Sequence, residues 1–387
     1  MPRRYKAPGI YVQEISAGPR VIEAAETSLT AFVGTAGQGP LDEPTSVRSL
    51  AEFSREFGET SDAYPLSHAV RQFFDNGGRR AVVVRVADRG FAEPALSMNQ
   101  RGLWALEKIP SFNLLAIPPF SLGGDVDVRS LRTALAYCKK RRAMLLVDPR
   151  SNWSFPISVL DPGSGIDGLG LRDPNAVLYY PNILFPNPTN HGISTSFAPC
   201  GAIAGLISRT DETRGVWKAP AGVEARVDGA SGLERSLTAA ENRLLNQAGV
   251  NCLRSFPKTG VVCWGARTLD GADSQGSEWK YLPVRRTALF IEESLYRDLR
   301  WVVFEPNGEP LWTDISNSVE NFLFTLFREG ALQGTKLNEA FFVRCDRTTT
   351  SQSDIDRGVI NIQVGFAPLK PAEFVILTLR PKAAGAA

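Results

Sequence analysis

Histidine, cysteine and methionine are scarce in these 387 residues, with two, five and three of them. The cysteines (Cys138, Cys200, Cys252, Cys263, Cys345) form no CxxC pair and are odd in number. That excludes a disulfide framework and favours free, buried thiols made in a reducing compartment. His68 reads as the polar side of a helix and His191 as part of an Asn190-His191-Gly192 turn, so neither is expected to catalyse or bind metal. Charge of one sign is missing too: 43 Lys+Arg face 41 Asp+Glu. With no polybasic block or basic aromatic stripe, a dedicated nucleic-acid binder is excluded. No run nears the roughly 18 apolar residues of a membrane span, so no direct membrane insertion is expected. The start, MPRRYKAPGIYVQEI, has no apolar stretch of the secretory type. HExxH, GxSxG and Walker-A patterns are absent.

What is present is an ordinary globular composition, 43% hydrophobic and 22% charged, at a length that suggests two or three domains. The predicted class is α/β, a mixed α+β core. Strands are expected at 28–34, 81–86, 114–117, 144–147, 177–184 and 260–266. Helices are expected at 50–58, 65–74, 102–109, 129–142, 200–207, after Thr238, at 285–300 and at 315–328. Ser49/Glu52 and Thr238/Glu241 fit capping boxes, and Asp314 is placed as a helix cap. Leu114–Val147 reads as a βαβ unit, which implies a parallel pair. The Gly/Pro/Asp/Ser-rich stretch 148–174 is taken as a domain boundary.

Candidate chemistry is thin. Gly34–Gly39 follows a strand but has the wrong spacing for a phosphate loop. Gly123-Gly124-Asp125 could cradle an anion before a helix, which keeps a nucleotide-binding α/β enzyme open as an alternative. Asp161–Gly168 is rich in Asp and Gly without matching an EF-hand. Asp211-Glu212 and Asp354/Asp356 read as solvated loop faces. No nucleophile, base and oxyanion hole assemble, so no catalytic, metal-binding or cofactor-binding residue is assigned and no cofactor is expected.

Both chain ends carry isolated strand patterns. Near the start, Pro8-Gly9 precedes an extended piece holding Ile10, Tyr11, Val12 and Ile15. Near the end, Ile360, Ile362, Val364 and Phe366 alternate with polar residues or glycine, the period of a half-buried strand. After Pro368 and Pro371 comes an apolar run with Phe374, Ile376, Leu377 and Leu379. Such end strands either close the chain's own sheet or are lent to a neighbour.

A series of segments resembles, in order, the contractile tail sheath proteins of phages, R-type bacteriocins and phage-like injection systems. The series runs YKAPGIYVQE, LTAFVGTAGQGP, PLSHAVRQFFDNGGRRAVVVRV, AVLYYPNIL, LLNQAGVNCLR, VVCWGARTLD, WKYLPVRRTALFIEESL, WVVFEPNGEPLW, FLFTLFREGALQG and VINIQVGFAPLKPAEFV. One local departure is Tyr180-Pro181-Asn182 with Phe197-Ala198-Pro199-Cys200, where the family often has Pro-Trp and a Pro-Pro-Ser turn.

The resemblance implies a structural protein rather than an enzyme. Its subunits would stack as rings around an inner tube and contract on a baseplate signal to drive the tube through a target envelope. Partners would be copies of itself, an inner tube protein, and baseplate and tail-terminator or cap proteins. Assembly would be in the bacterial cytoplasm, within a phage tail or a particle released from the cell. A non-contractile strand-exchanging shell or adhesin is the remaining alternative. The implied layout is an N-terminal arm (1–22), a core domain (23–90 with 178–365), an inserted outward-facing α/β domain (91–177) and a C-terminal arm (366–387). Ile360, Ile362, Val364 and Phe366 would form an acceptor strand, and both arms would pair with neighbours. By the same resemblance, Asn317, Glu320, Asn321, Arg328, Glu329 and Lys336 would face the tube.

Overall fold

The computed structural model describes residues 20–87 and 90–373. They fall into two compact units, one of residues 24–293 with 368–373 and one of 20–23 with 294–367.

The larger unit is built on an eight-stranded sheet of order β11-β10-β6-β5-β4-β1-β3-β2. Its strands are β1 (Thr30–Gly34), β2 (Thr45–Val47), β3 (Ala81–Arg85), β4 (Leu114–Ala116), β5 (Met144–Val147), β6 (Ala176–Tyr180), β10 (Asn251–Phe256) and β11 (Gly260–Cys263). All pairings are parallel except those of the edge strands β2 and β11. TAFVG, LLA, MLLV and AVLYY have no exposed position, as a sheet covered on both faces requires.

Alternation along these strands sorts the core in two. Ala31, Val33, Val84, Leu115 and Leu145 pack on one face with Leu131, Ala134 and Cys138 of α3 (Val128–Lys140). Phe32, Val83, Leu114, Met144 and Tyr179 pack on the other with α2 (Pro65–Asp75) and α5 (Cys200–Arg214). Phe73 meets Phe32 edge-on at 5.5 Å between ring centroids, worth about 0.5–1.5 kcal/mol beyond burial. Helices α2 and α5 approach backbone to backbone, and the sequence allows it with glycine. A Cβ on Gly201 would stand 2.2 Å from the Ala69 carbonyl oxygen, and one on Gly205 2.3 Å from that of Phe73. The cover is completed by α1 (Leu50–Phe57), α4 (Pro156–Val159), α6 (Ala239–Gln247) and the start of α7 (Leu282–Asp298), with a small sheet of β7 (Ile183–Pro186), β8 (Ser194–Phe197) and β9 (Gly232–Leu233).

Several expectations are corrected here. The stretch 91–177 is no separate insertion, because β4 and β5 lie in the middle of the sheet between β1 and β6. Nor is 148–174 a domain boundary: Trp153, Val159, Ile166, Leu169 and Leu171 are buried in the core. Its composition is that of a loop, but an apolar side chain every few residues pins it down. The core expected over 178–365 is divided instead, with 294–365 in the smaller unit. His68 is buried, not on a polar face. Its Nε2 lies 2.9 Å from Asp62 Oδ1, and that carboxylate also accepts from Asn187 and Thr189. Strand β10, unanticipated, joins β6 to β11.

The smaller unit centres on α8 (Glu309–Arg328), with α9 (Leu337–Ala340), α10 (Gln352–Asp356) and an antiparallel pair, β12 (Phe341–Arg344) and β13 (Gln363–Phe366). Leu311, Ile315, Val319, Phe322, Leu323 and Leu326 of α8 are buried, a helical stripe at spacings of three and four. Helix α8 starts a turn and a half earlier than expected, after Gly308 with Pro310 near its start, so Asp314 lies inside it and caps nothing.

Candidate strand-exchange surface

The pair β12–β13 is the element on which the implied function turns. A two-stranded ribbon is marginal alone, and this one is braced on one face. Phe341 stands opposite Phe366 and Val343 opposite Val364. These four side chains are half-buried, whereas Phe342, Arg344 and Gln363 are exposed. On the exposed face the Arg344 guanidinium lies 5.1 Å from the Phe342 ring centre. Gly365 stands directly across from Phe342. A Cβ there would come within 2.2 Å of the Phe342 ring, so only glycine lets the aromatic lie over the partner strand.

Among the described residues the ribbon has two strands, and each keeps an outer edge with no third strand on it. Such an edge is a template for an added strand. Beside β12 runs an open groove of about 510 Å³, lined by Phe324, Leu337, Phe341, Phe342 and Val343 with Glu320, Asn321 and Asn338. Phe324, Leu337 and Phe342 are exposed there.

The ribbon is anchored at its ends. Ala367 N donates to Ala340 O and Gln333 N to Ala367 O, each at 2.8 Å. Ser351 and Asp354 cap α10 reciprocally. Asn361 N donates to the hydroxyl of buried Thr350 at 3.0 Å. That bond lies just before a strand that is shorter than expected. Ile360 and Ile362 are half-buried in the expected alternation with Val364 and Phe366, but the ladder begins only at Gln363.

Of the other singled-out residues, Asn317, Glu320, Asn321, Arg328 and Glu329 lie exposed along α8 or just past it, and Lys336 is exposed before α9. Pro8, Ile10, Tyr11, Val12, Ile15, Phe374, Ile376, Leu377 and Leu379 lie outside the described residues. The described part of the expected C-terminal arm, 366–373, is held on the chain itself through Ala367 and Glu373.

The features behind the rival enzymatic reading have local structural duties. In the loop after β1, Arg85 donates to Ala36 O at 3.0 Å and to Gly39 O at 2.6 Å. That loop therefore offers carbonyls where a phosphate site needs amides. Gly124 N closes a turn on Ser121 O, and Asp161 Oδ1 accepts from the Gly163 and Ser164 amides. The five thiols are free and buried. Burial pushes Cys252 and Cys263 up to about 12, far from the range of a reactive thiolate.

Comparison with known proteins agrees with this architecture. Residues 174–269 match the phage tail sheath protein central domain and residues 274–381 the phage tail sheath C-terminal domain, together more than half of the chain. The tail sheath protein of Vibrio phage KVP40 is 28% identical over 178 residues, 46% of this chain and 25% of that relative. The chain thus spans about a quarter of the length of the curated relatives it matches. Likeness to solved structures runs nearly end to end. The anti-feeding prophage helical sheath in its contracted state gives a TM-score of 0.76 at 28% identity, covering 97% of this chain and 99% of that one. The contracted PVC sheath complex of an extracellular contractile injection system gives 0.78 at 25% identity, covering 98% and 99%. The fold is that of contractile sheath subunits. This chain belongs to the phage tail sheath family.

Proposed function

We propose that this chain is the repeating subunit of a contractile sheath. Copies stack as rings on an inner tube and a baseplate, and the lattice changes packing to drive the tube through a target envelope. The observation that carries this reading is the near end-to-end likeness to two sheaths solved in the contracted state.

The β12–β13 ribbon, open at both edges among the described residues, supports a mode of assembly. The end segments, residues 1–22 and the chain beyond Glu373, add strands to the ribbon of a neighbour. A lent strand of eight residues spans ~26 Å. Its ladder bonds contribute about 0.5–1.5 kcal/mol each, reduced by the cost of association. Such a tether keeps neighbours joined while larger contacts switch between two packings. The exposed polar side of α8, from Asn317 to Glu329, with Lys336 beyond it, faces the tube.

Negative-stain microscopy of the purified protein tests the reading. The full chain is expected to form tubular particles, and deletion of residues 1–15 to leave a folded subunit that forms none. A full chain that stays monomeric at high concentration contradicts the sheath assignment, and ordered tubes from the truncated chain contradict strand exchange.

A further inference from the structure

The segment 368–373 belongs to the larger unit, and its last residue is bonded to a fully buried arginine. Arg267 is 1% exposed. Its Nε donates to Glu373 Oε1 at 2.8 Å and its Nη2 to Oε2 at 2.6 Å, the forked geometry that suits a guanidinium to a carboxylate. Tyr281 adds its hydroxyl to Oε2 at 3.2 Å. The other side of the guanidinium is held by Asp273 Oδ1 at 2.9 Å and Asn246 O at 2.8 Å. The backbone that carries the arginine is held as well. Buried Asn251 accepts from its backbone N and donates to its backbone O, both at 2.7 Å. Burial works against the Glu373 carboxylate, yet the Arg267 contacts hold its pKa below the ordinary value.

The placement matters more than the strength. Glu373 lies 106 residues from Arg267 in sequence. The six residues before the chain continues contain Pro368 and Pro371, which cannot donate to a ladder, so the side-chain fork is well suited to hold this stretch down. We propose that Glu373 is a positioning residue that pins the root of the C-terminal segment to the subunit's own body, so that only the chain beyond it is handed to a neighbour. This rests on the strand-exchange reading above. It fixes where the lent strand starts. It also sends tension on the lent strand through Arg267 and Asn251 into β10 of the main sheet, rather than peeling the segment from its base.

The test uses the full chain with Glu373→Ala and Glu373→Gln. In the soluble subunit, amide hydrogen exchange over 366–373 is expected to quicken about ten-fold or more in Glu373→Ala, while exchange in β1 and β3 stays as in the parent. Tube formation is expected to be lost or strongly delayed at concentrations where the parent assembles. Should the alanine variant fail to fold, Glu373→Gln, which keeps a neutral acceptor opposite Arg267, carries the same comparison with a smaller effect. Unchanged exchange over 366–373 in the folded variants overturns the pin. Faster exchange with parent-like tubes overturns its role in assembly. If the parent itself makes no tubes, the strand-exchange reading fails, and the exchange data still decide whether Glu373 anchors the segment.

Discussion

The ring of Phe342 lies over the backbone of Gly365 on the facing strand, in the space a side chain at 365 would fill. The ribbon's exposed face is therefore shaped by one aromatic and one glycine. Gly365→Val is expected to push Phe342 off the strand at a cost of about 1–3 kcal/mol. The loss should be confined to the smaller unit, seen as faster hydrogen exchange in 341–344 and 363–366, and tube formation should fall with it. Parent-like exchange there would mean that Phe342 has room to move aside.

Arg286 and Asp211 form the most enclosed ion pair described, with side chains 4% and 2% exposed. The fork closes at 2.7 and 2.6 Å and joins α7 to α5, and Arg286 also donates to Thr27 O. Removing one partner strands a buried charge. Asp211→Ala is expected to cost about 3–5 kcal/mol in urea denaturation. Replacing both, as Asp211→Leu with Arg286→Met, should cost less, since no lone charge remains. A double variant as unstable as the single one would contradict this account.

His68 makes stability depend on pH. Burial lowers its pKa below the ordinary 6.5, against the pull of Asp62. The unfolded chain therefore binds this proton more readily than the folded one. Its contribution is fully present above pH 6.5 and is lost as pH falls through the lowered folded value. Asp62 is buried somewhat against its charge, but hydrogen bonds from Thr189, Asn187 and His68 hold it below 3.8, so its contribution is lost only in stronger acid. His68→Gln should flatten the melting-temperature profile just below pH 6.5 and leave the acid limb. An unchanged slope in that window would place the dependence elsewhere.

Much of the larger unit was legible because it is locally dictated. Met144–Val147 falls on its predicted bounds, and Thr238 and Glu241 cap as their spacing requires. Ser49 accepts from Glu52 N as predicted, but Glu52 reaches back to the Arg48 amide, one residue further than the pattern implies. What the sequence hides is tertiary. Nothing in LLAIP or MLLVD says that these strands lie between β1 and β6, and turn-rich composition conceals the buried Trp153 and Ile166. His68 looks polar until Asp62 and Phe197 are placed around it, the phenyl ring 4.6 Å away. For the candidate site, the alternation of Ile360 to Phe366 was readable. The partner strand β12 was not, because FFVR has no clean period and pairs across eighteen intervening residues. Glu373 gave no signal either, since its meaning depends on a distant arginine.

Cysteine cross-linking between chains tests strand exchange most directly. One variant carries Ile376→Cys, and others carry Arg344→Cys on β12 or Gln363→Cys on β13. The five native thiols are buried, so the introduced ones should react first. Strand exchange predicts that an Ile376→Cys chain co-assembled with an acceptor variant gives a disulfide-linked dimer under oxidation, and that neither variant alone does. Tubes that form with no cross-link at either edge, or a link found only within single chains carrying both cysteines, would contradict it.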